Sequence, residues 1–212
     1  MPLSIPAPER RGGRKGASMP SKNIAVLPGS YDPITMGHMD IIERGAQLYD
    51  ELVVAVSENP AKKPLLSIGE RLELIRDLTR SHGNIRAEMF TGMTVEFAKA
   101  IGARVILRGI RTFADFEYEF QLALANKRIG GVETVFIMSS AERSFIRSSL
   151  IKEAMALGGD VSAFVPKSVA LAMQRKLRER GKISHRSFVG LDGEETPDIG
   201  RDGSGLRGEA IE

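Results

Sequence analysis

Between about residues 23 and 181 the apolar positions follow two alternating rhythms. Short apolar or β-branched runs at 24–27, 52–56, 85–90, 105–107 and 134–138 have the length and composition of buried parallel strands. Between them, apolar residues recur at helical spacing. Met39, Ile41, Ile42 and Ala46 would face inward from a helix starting near His38. Leu72, Leu74, Ile75 and Leu78 form a second stripe, preceded by Ser67-Ile68-Gly69-Glu70 with capping-box spacing. Further helices fit 95–101, 113–129, 149–157 and 168–180. This alternation predicts an α/β fold, a doubly wound parallel sheet with right-handed crossovers.

The ends do not share the rhythm. Residues 1–22 are rich in Pro, Gly, Ser, Arg and Lys and lack an apolar h-region, so a disordered basic extension is expected rather than a secretory signal. Residues 182–212 are acidic and glycine-dotted, as in Asp192-Gly193-Glu194-Glu195, and read as a flexible tail. That leaves 23–181 as one domain, in keeping with a 212-residue chain, 42% apolar and 27% charged, that can bury one substantial core. The chain has no cysteine, which removes disulfides and thiolate metal sites and is compatible with a reducing cytoplasm, the expected location. No apolar run approaches the roughly 18 residues needed to span a bilayer, so no membrane partner is expected. A net charge of +3, basic at the N-terminal end and acidic at the other, is too small to imply a nucleic-acid partner. A basic arm of Arg10, Arg11, Arg14 and Lys15 is where such binding would lie.

Candidate chemistry concentrates in Pro28-Gly29-Ser30-Tyr31-Asp32-Pro33-Ile34-Thr35-Met36-Gly37-His38, where an apolar strand passes into a helix. The first N–H groups of that helix lack intrahelical partners and sit at the positive end of its dipole, which favours an anion. Gly37 lets a ligand approach the backbone closely. A lone histidine at a helix start is ordinarily structural, but the carboxyl end of a strand in an open α/β sheet is where such folds bind ligands. Neither Walker-A spacing nor GxGxxG is present, which argues against a P-loop NTPase or a dinucleotide site. Lys62 follows the second strand in a loop with Asn59, Pro60, Lys63 and Pro64; on spacing alone it reads as a solvated lysine. Arg108 ends a strand, with Gly109 permitting a tight turn before Arg111, and arginines there are placed for bidentate phosphate contact. Ser148 and Ser149 open a helix, and N-capping suffices to account for them.

Thr35-Met36-Gly37-His38 resembles the (H/T)xGH signature of the nucleotidyltransferase superfamily. Gly29-Ser30-Tyr31-Asp32-Pro33, Lys62-Lys63-Pro64, Arg108-Gly109-Ile110-Arg111 and Asp115-Phe116-Glu117-Tyr118-Glu119 follow in the order seen in bacterial phosphopantetheine adenylyltransferases, which residues 23–177 resemble throughout. The resemblance implies a Rossmann-like nucleotidyltransferase fold and transfer of the adenylyl group of ATP to 4′-phosphopantetheine, giving dephospho-CoA and pyrophosphate. It makes His38 the transition-state stabiliser and assigns Ser30, Lys62, Thr94 and Arg108 to phosphopantetheine. ATP would meet Ser30, Tyr31, His38, Gly109, Ile110, Arg111 and Glu119, and the later loop Arg143, Ser144, Phe145, Ile146, Arg147, Ser148 and Ser149. The chain departs from the family pattern at Arg147, in place of a serine, and at Arg143, where an aromatic residue is common. The resemblance also implies Mg²⁺ carried on the ATP phosphates, without a carboxylate cage in the protein, and a homo-oligomer, typically a hexamer. A relative acting on nicotinate mononucleotide or glycerol phosphate would share the GH motif but lack the 108–119 block. A catalytically silent nucleotide sensor is the remaining alternative.

Overall fold

The computed structural model describes residues 22–58, 63–143 and 145–181. The expected basic extension, apart from Lys22, the acidic tail, Lys62 and Ser144 lie outside them. In chain order the elements are β1 (Ile24–Gly29), α1 (Met36–Leu48), β2 (Glu51–Ser57), α2 (Ile68–Leu78), β3 (Ile85–Phe90), α3 (Thr94–Ala100), β4 (Val105–Ile110), α4 (Phe113–Gly130), β5 (Glu133–Met138), α5 (Ser148–Ala156) and α6 (Lys167–Glu179). The five strands form one parallel sheet in the order β3-β2-β1-β4-β5. The strand and helix expectations hold to within a few residues.

The alternation of strand side chains sorts the core into two faces. Ala25, Leu27, Leu52, Val54, Val56 and Leu107 pack with Ile41, Ile42, Ile75, Met155 and Met173 beneath α1, α2, α5 and α6. Val26, Val53, Ala55 and Ile106 point the other way, onto Val95 and Ala98 of α3. Helices on both sides explain why the strands read as continuous apolar runs: neither face is left to water. At α2 the expected capping box is formed, Ser67 Oγ accepting from Glu70 N at 3.3 Å while Glu70 Oε2 accepts from Ser67 N at 2.8 Å.

Two local expectations are corrected. β4 does not stop before Arg108: Arg108, Gly109 and Ile110 continue the strand, paired with Phe136, Ile137 and Met138 of β5. Gly109 therefore makes no turn. Its missing side chain lets α1 approach the sheet, since a Cβ there would lie 2.9 Å from Ile41 Cγ1 and 3.3 Å from its Cδ1. The first helix starts earlier than expected, at Met36 with Thr35 as N-cap, which makes His38 the third helical residue.

Gly109→Ala should cost about 1–3 kcal/mol of stability by overpacking this contact. Urea denaturation should show the loss, and Ile41→Val in the same chain should recover part of it.

Candidate active site

In strand order 3-2-1-4-5 the crossover direction reverses between β1 and β4, and a cavity of about 1000 Å³ opens beyond their carboxyl ends. β1 and the loop after it contribute Leu27 through Asp32, α1 contributes Gly37, His38 and Ile41, and β2 ends in Ser57 and Glu58. Arg108, Gly109 and Arg111 enter from β4, Asp115 from α4, and Arg147, Ser148, Ser149 and Lys152 from the start of α5. Lys63, Ser67, Ile68 and Arg71 close the side nearest α2.

Thr35 and His38 form a second capping box, one without a carboxylate. Thr35 N donates to His38 Nδ1 at 3.0 Å and Thr35 Oγ1 lies 2.9 Å from the same nitrogen, while Oγ1 accepts from His38 N at 3.4 Å. A backbone N–H can only donate, so Nδ1 is the acceptor and the ring's proton sits on Nε2. The Tyr31 ring meets the imidazole edge-on, centroids 5.2 Å apart, and Tyr31 itself is pinned by its hydroxyl to Leu27 O at 2.8 Å. Burial, followed by the Arg111 and Arg108 guanidiniums, pushes the His38 pKa down to about 3. The imidazole is thus a neutral, oriented donor. Arg111 Nη2 lies 3.5 Å from His38 Nε2. Both nitrogens carry hydrogens and neither can accept from the other, so the pair converges on a space suited to an anionic oxygen. Burial and the nearby Arg147 and Arg108 charges lower the Arg111 pKa, opposed by Asp115.

Arg108 is held from two sides. Its Nε donates to Glu119 Oε2 at 2.8 Å, its Nη2 to Glu119 Oε1, and its Nη1 to Pro28 O at 2.8 Å. Glu119 is 9% exposed, so a carboxylate expected on the adenosine side is committed to an arginine expected on the acceptor side. Asp32, also buried, accepts from Leu65 N at 3.0 Å, Leu66 N at 2.9 Å and Lys152 Nζ at 2.6 Å. Ser148 does not act as the N-cap of α5; Arg147 holds that position, and Ser148 Oγ instead donates to Pro33 O at 2.8 Å, tying α5 to the loop after β1. A Cβ on Gly37 would stand 3.4 Å from Arg143 O and 3.9 Å from Ile146 Cβ, so this glycine admits those two residues as well as facing the cavity.

Of the expected site residues, Ser30, Tyr31, His38, Arg108, Gly109, Arg111, Arg147, Ser148 and Ser149 meet on the cavity wall. Thr94 opens α3 and, with Ile110, Glu119, Arg143, Phe145 and Ile146, stands off the wall. Arg143 Nη1 donates to Met36 O at 3.2 Å, behind the first turn of α1. Lys62 and Ser144 are outside the described residues. Sequence reasoning missed Arg71 and Lys152 and gave Asp32 no role. Arg71 and Lys152 look like ordinary polar positions of amphipathic helices, and only their placement against a distant loop distinguishes them.

The cytidylyltransferase-like family model matches residues 26–154, which sets the class as nucleotidyltransferase. The chain is 48% identical over 157 residues to a phosphopantetheine adenylyltransferase of Caldanaerobacter subterraneus subsp. tengcongensis, covering 74% of this chain and 98% of that protein. It is 49% identical over 166 residues to that of Heliobacterium modesticaldum, covering 77% and 99%, and 51% identical over 148 residues to that of Gloeothece citriformis, covering 69% and 94%. A crystal structure described as that of a nicotinate-nucleotide adenylyltransferase from Vibrio parahaemolyticus shares the fold, with a TM-score of 0.55 at 16% identity over 76% of this chain and 94% of that one. The chain belongs to the cytidylyltransferase-like family and, within it, to the phosphopantetheine adenylyltransferases.

The depressed His38 pKa sets a pH dependence with a definite sign. Between its ordinary value of 6.5 and about 3 the unfolded chain binds a proton that the folded chain refuses. This site's contribution to stability is therefore complete above pH 6.5 and is lost as pH falls through that window. In the nucleotide-free protein, ¹⁵N NMR of His38 should show one neutral Nε2–H tautomer from pH 8 to pH 5; a midpoint near 6.5 would refute the assignment.

Proposed function

We infer that this chain transfers the adenylyl group of ATP to 4′-phosphopantetheine, releasing pyrophosphate and forming dephospho-CoA. The observation that carries this reading is the convergence of His38 Nε2–H and Arg111 near the start of α1, two donors side by side with no hydrogen-bond acceptor bonded to either among the described residues. Relatives at 48–51% identity named for this activity support the choice of acceptor.

The reaction needs no protein nucleophile. An oxygen of the acceptor's 4′-phosphate forms the new bond to the α-phosphorus of ATP while the bond from that phosphorus to the α,β-bridging oxygen breaks, and the electron pair leaves with pyrophosphate. Catalysis then rests on alignment and on stabilising charge at the oxygens in flight. His38 serves as a neutral hydrogen-bond donor to the α-phosphate region, its tautomer held by Thr35. Arg111 adds a fixed positive charge beside it, with Arg147 and the first turn of α5 facing the same cavity. Ser30 and Arg108, with Lys62, receive the acceptor phosphate. Glu119 serves the reaction by holding Arg108. ATP enters as its magnesium complex, the ion held by phosphate oxygens and water. Among the described residues no group of three His, Cys, Asp or Glu side chains comes together to hold a metal, and the donors facing the cavity suit phosphate rather than a divalent cation.

The enzyme works as a cytoplasmic homo-oligomer, a hexamer by family resemblance. Among the described residues no helix is long and apolar enough to cross a membrane. The outer side of α4 supports assembly: Phe113 is 84% exposed, Tyr118 62%, Leu124 57% and Ile129 59%, more apolar surface than one helix ordinarily leaves to water.

Pyrophosphate release with ATP and magnesium should require phosphopantetheine, with dephospho-CoA identified by mass. Release with nicotinate mononucleotide instead would reassign the acceptor, and silence with every acceptor would favour a nucleotide sensor. His38→Ala should lower kcat by about 100-fold or more with modest loss of ATP affinity; near-normal kcat would remove His38 from the chemistry. Light scattering should give a mass several times that of one chain, and Leu124→Glu should lower it.

A further inference from the structure

Arg71 is a charged residue of the cavity that neither the motif nor the family resemblance assigns. It is only 4% exposed yet lines the cavity beside Ser30, Lys63 and Ser67. Its Nη1 donates to Ser30 O at 2.7 Å and its Nε to Ser67 O at 3.3 Å, a carbonyl already accepting from Arg71 N at 3.1 Å. Those contacts satisfy hydrogens without neutralising charge. Among the described residues Arg71 forms no ion pair. Glu58 shares the cavity wall but makes no ion pair with Arg71. Asp32, the buried acid of the neighbouring loop, is taken up by Leu65 N, Leu66 N and Lys152.

Two further features make this placement costly for a residue with a purely structural duty. Arg71 is the fourth residue of α2, near the end of the helix whose dipole repels a cation. It also shares the cavity wall with Lys63, Arg108, Arg111, Arg147 and Lys152, against the carboxylates of Asp32, Glu58 and Asp115, so positive charge predominates around it. A buried guanidinium in such company is compensated only when an anion arrives.

We propose that Arg71 binds the phosphate of the acceptor: it fixes the Ser30 carbonyl, and with it the placement of the Ser30 hydroxyl, and directs its unpaired Nη2 donors and its charge to a phosphomonoester in the half of the cavity bounded by α2. This rests on the adenylyltransferase reading for the identity of the acceptor, but not for the anion site itself. The phosphate, rather than the rest of the acceptor, is what Arg71 discriminates.

Calorimetry on the full chain tests both parts separately. Inorganic phosphate, 4′-phosphopantetheine, unphosphorylated pantetheine and ATP are titrated into wild type, Arg71→Met and Arg71→Lys. Arg71→Met should weaken inorganic phosphate and phosphopantetheine by about tenfold or more while pantetheine and ATP change little, and Arg71→Lys should restore part of the loss. Equal weakening of all four ligands, in step with a lowered Tm, would overturn the proposal in favour of a scaffold role, and so would unchanged phosphate binding. Failure of wild type to bind phosphopantetheine while still binding inorganic phosphate through Arg71 would defeat the adenylyltransferase reading alone. Should the variants fold poorly, the Arg71 Nε–H resonance of wild type should shift on adding inorganic phosphate; a resonance that stays in place overturns the assignment.

Discussion

The buried carboxylate of Asp32 is the interaction on which the arrangement of the site depends. It gathers Leu65 N, Leu66 N and Lys152 Nζ, joining the loop after β1, the segment entering α2 and the helix α5, which are far apart in sequence. A carboxylate removed from water is expensive unless its lone pairs are met, so the segments close around it together or leave it uncompensated. Charge-assisted bonds of this kind specify an arrangement more than they add stability. Ser148, bonded to Pro33 O, and Arg71, bonded to Ser30 O, tie the same segments again on either side of Asp32.

Within that frame the cavity wall carries more donors and cations than carboxylates. His38 is kept neutral by burial and by two arginines, and Thr35 sets which nitrogen carries its proton. A charged imidazole would bind phosphate tightly in the ground state, whereas a neutral donor of fixed orientation contributes most where negative charge grows during transfer. Arg108 is held in the opposite fashion, by a buried carboxylate and a carbonyl, so that its guanidinium plane needs little reorganisation when substrate binds. The two donors, one neutral and one charged, are thus preorganised by different means.

The sheet explains why these groups face one another. With β1 and β4 adjacent and their crossovers running in opposite directions, the loops after them diverge and leave a crevice at their carboxyl ends. Gly109 allows α1 to settle close to β4, which brings His38 and Arg111 to the same wall. The opposite flank, where α4 presents aromatic and aliphatic side chains outward, is free of this constraint.

Much of this was legible in the chain itself. Strand and helix periodicity located the elements, because parallel strands buried on both faces must be apolar throughout and amphipathic helices must repeat at their own period. The 28–38 stretch marked the cavity, because a strand leading into a helix start combines open N–H groups with a dipole. The extent of β4 was not legible: Arg108 and Gly109 look like turn residues, and only pairing with β5 shows that they continue the strand. Nor could local pattern reveal that Glu119 holds Arg108, that Asp32 gathers Leu65, Leu66 and Lys152, or that Arg71 lies buried against Ser30. These contacts join residues 11, 33 or 34, 120 and 41 positions apart. Periodicity reports which face of an element is buried. Which charged groups share that burial, and so which are neutralised and which are left for a substrate, is decided only when distant segments pack, because the cost of an unmet charge is set by the tertiary surroundings.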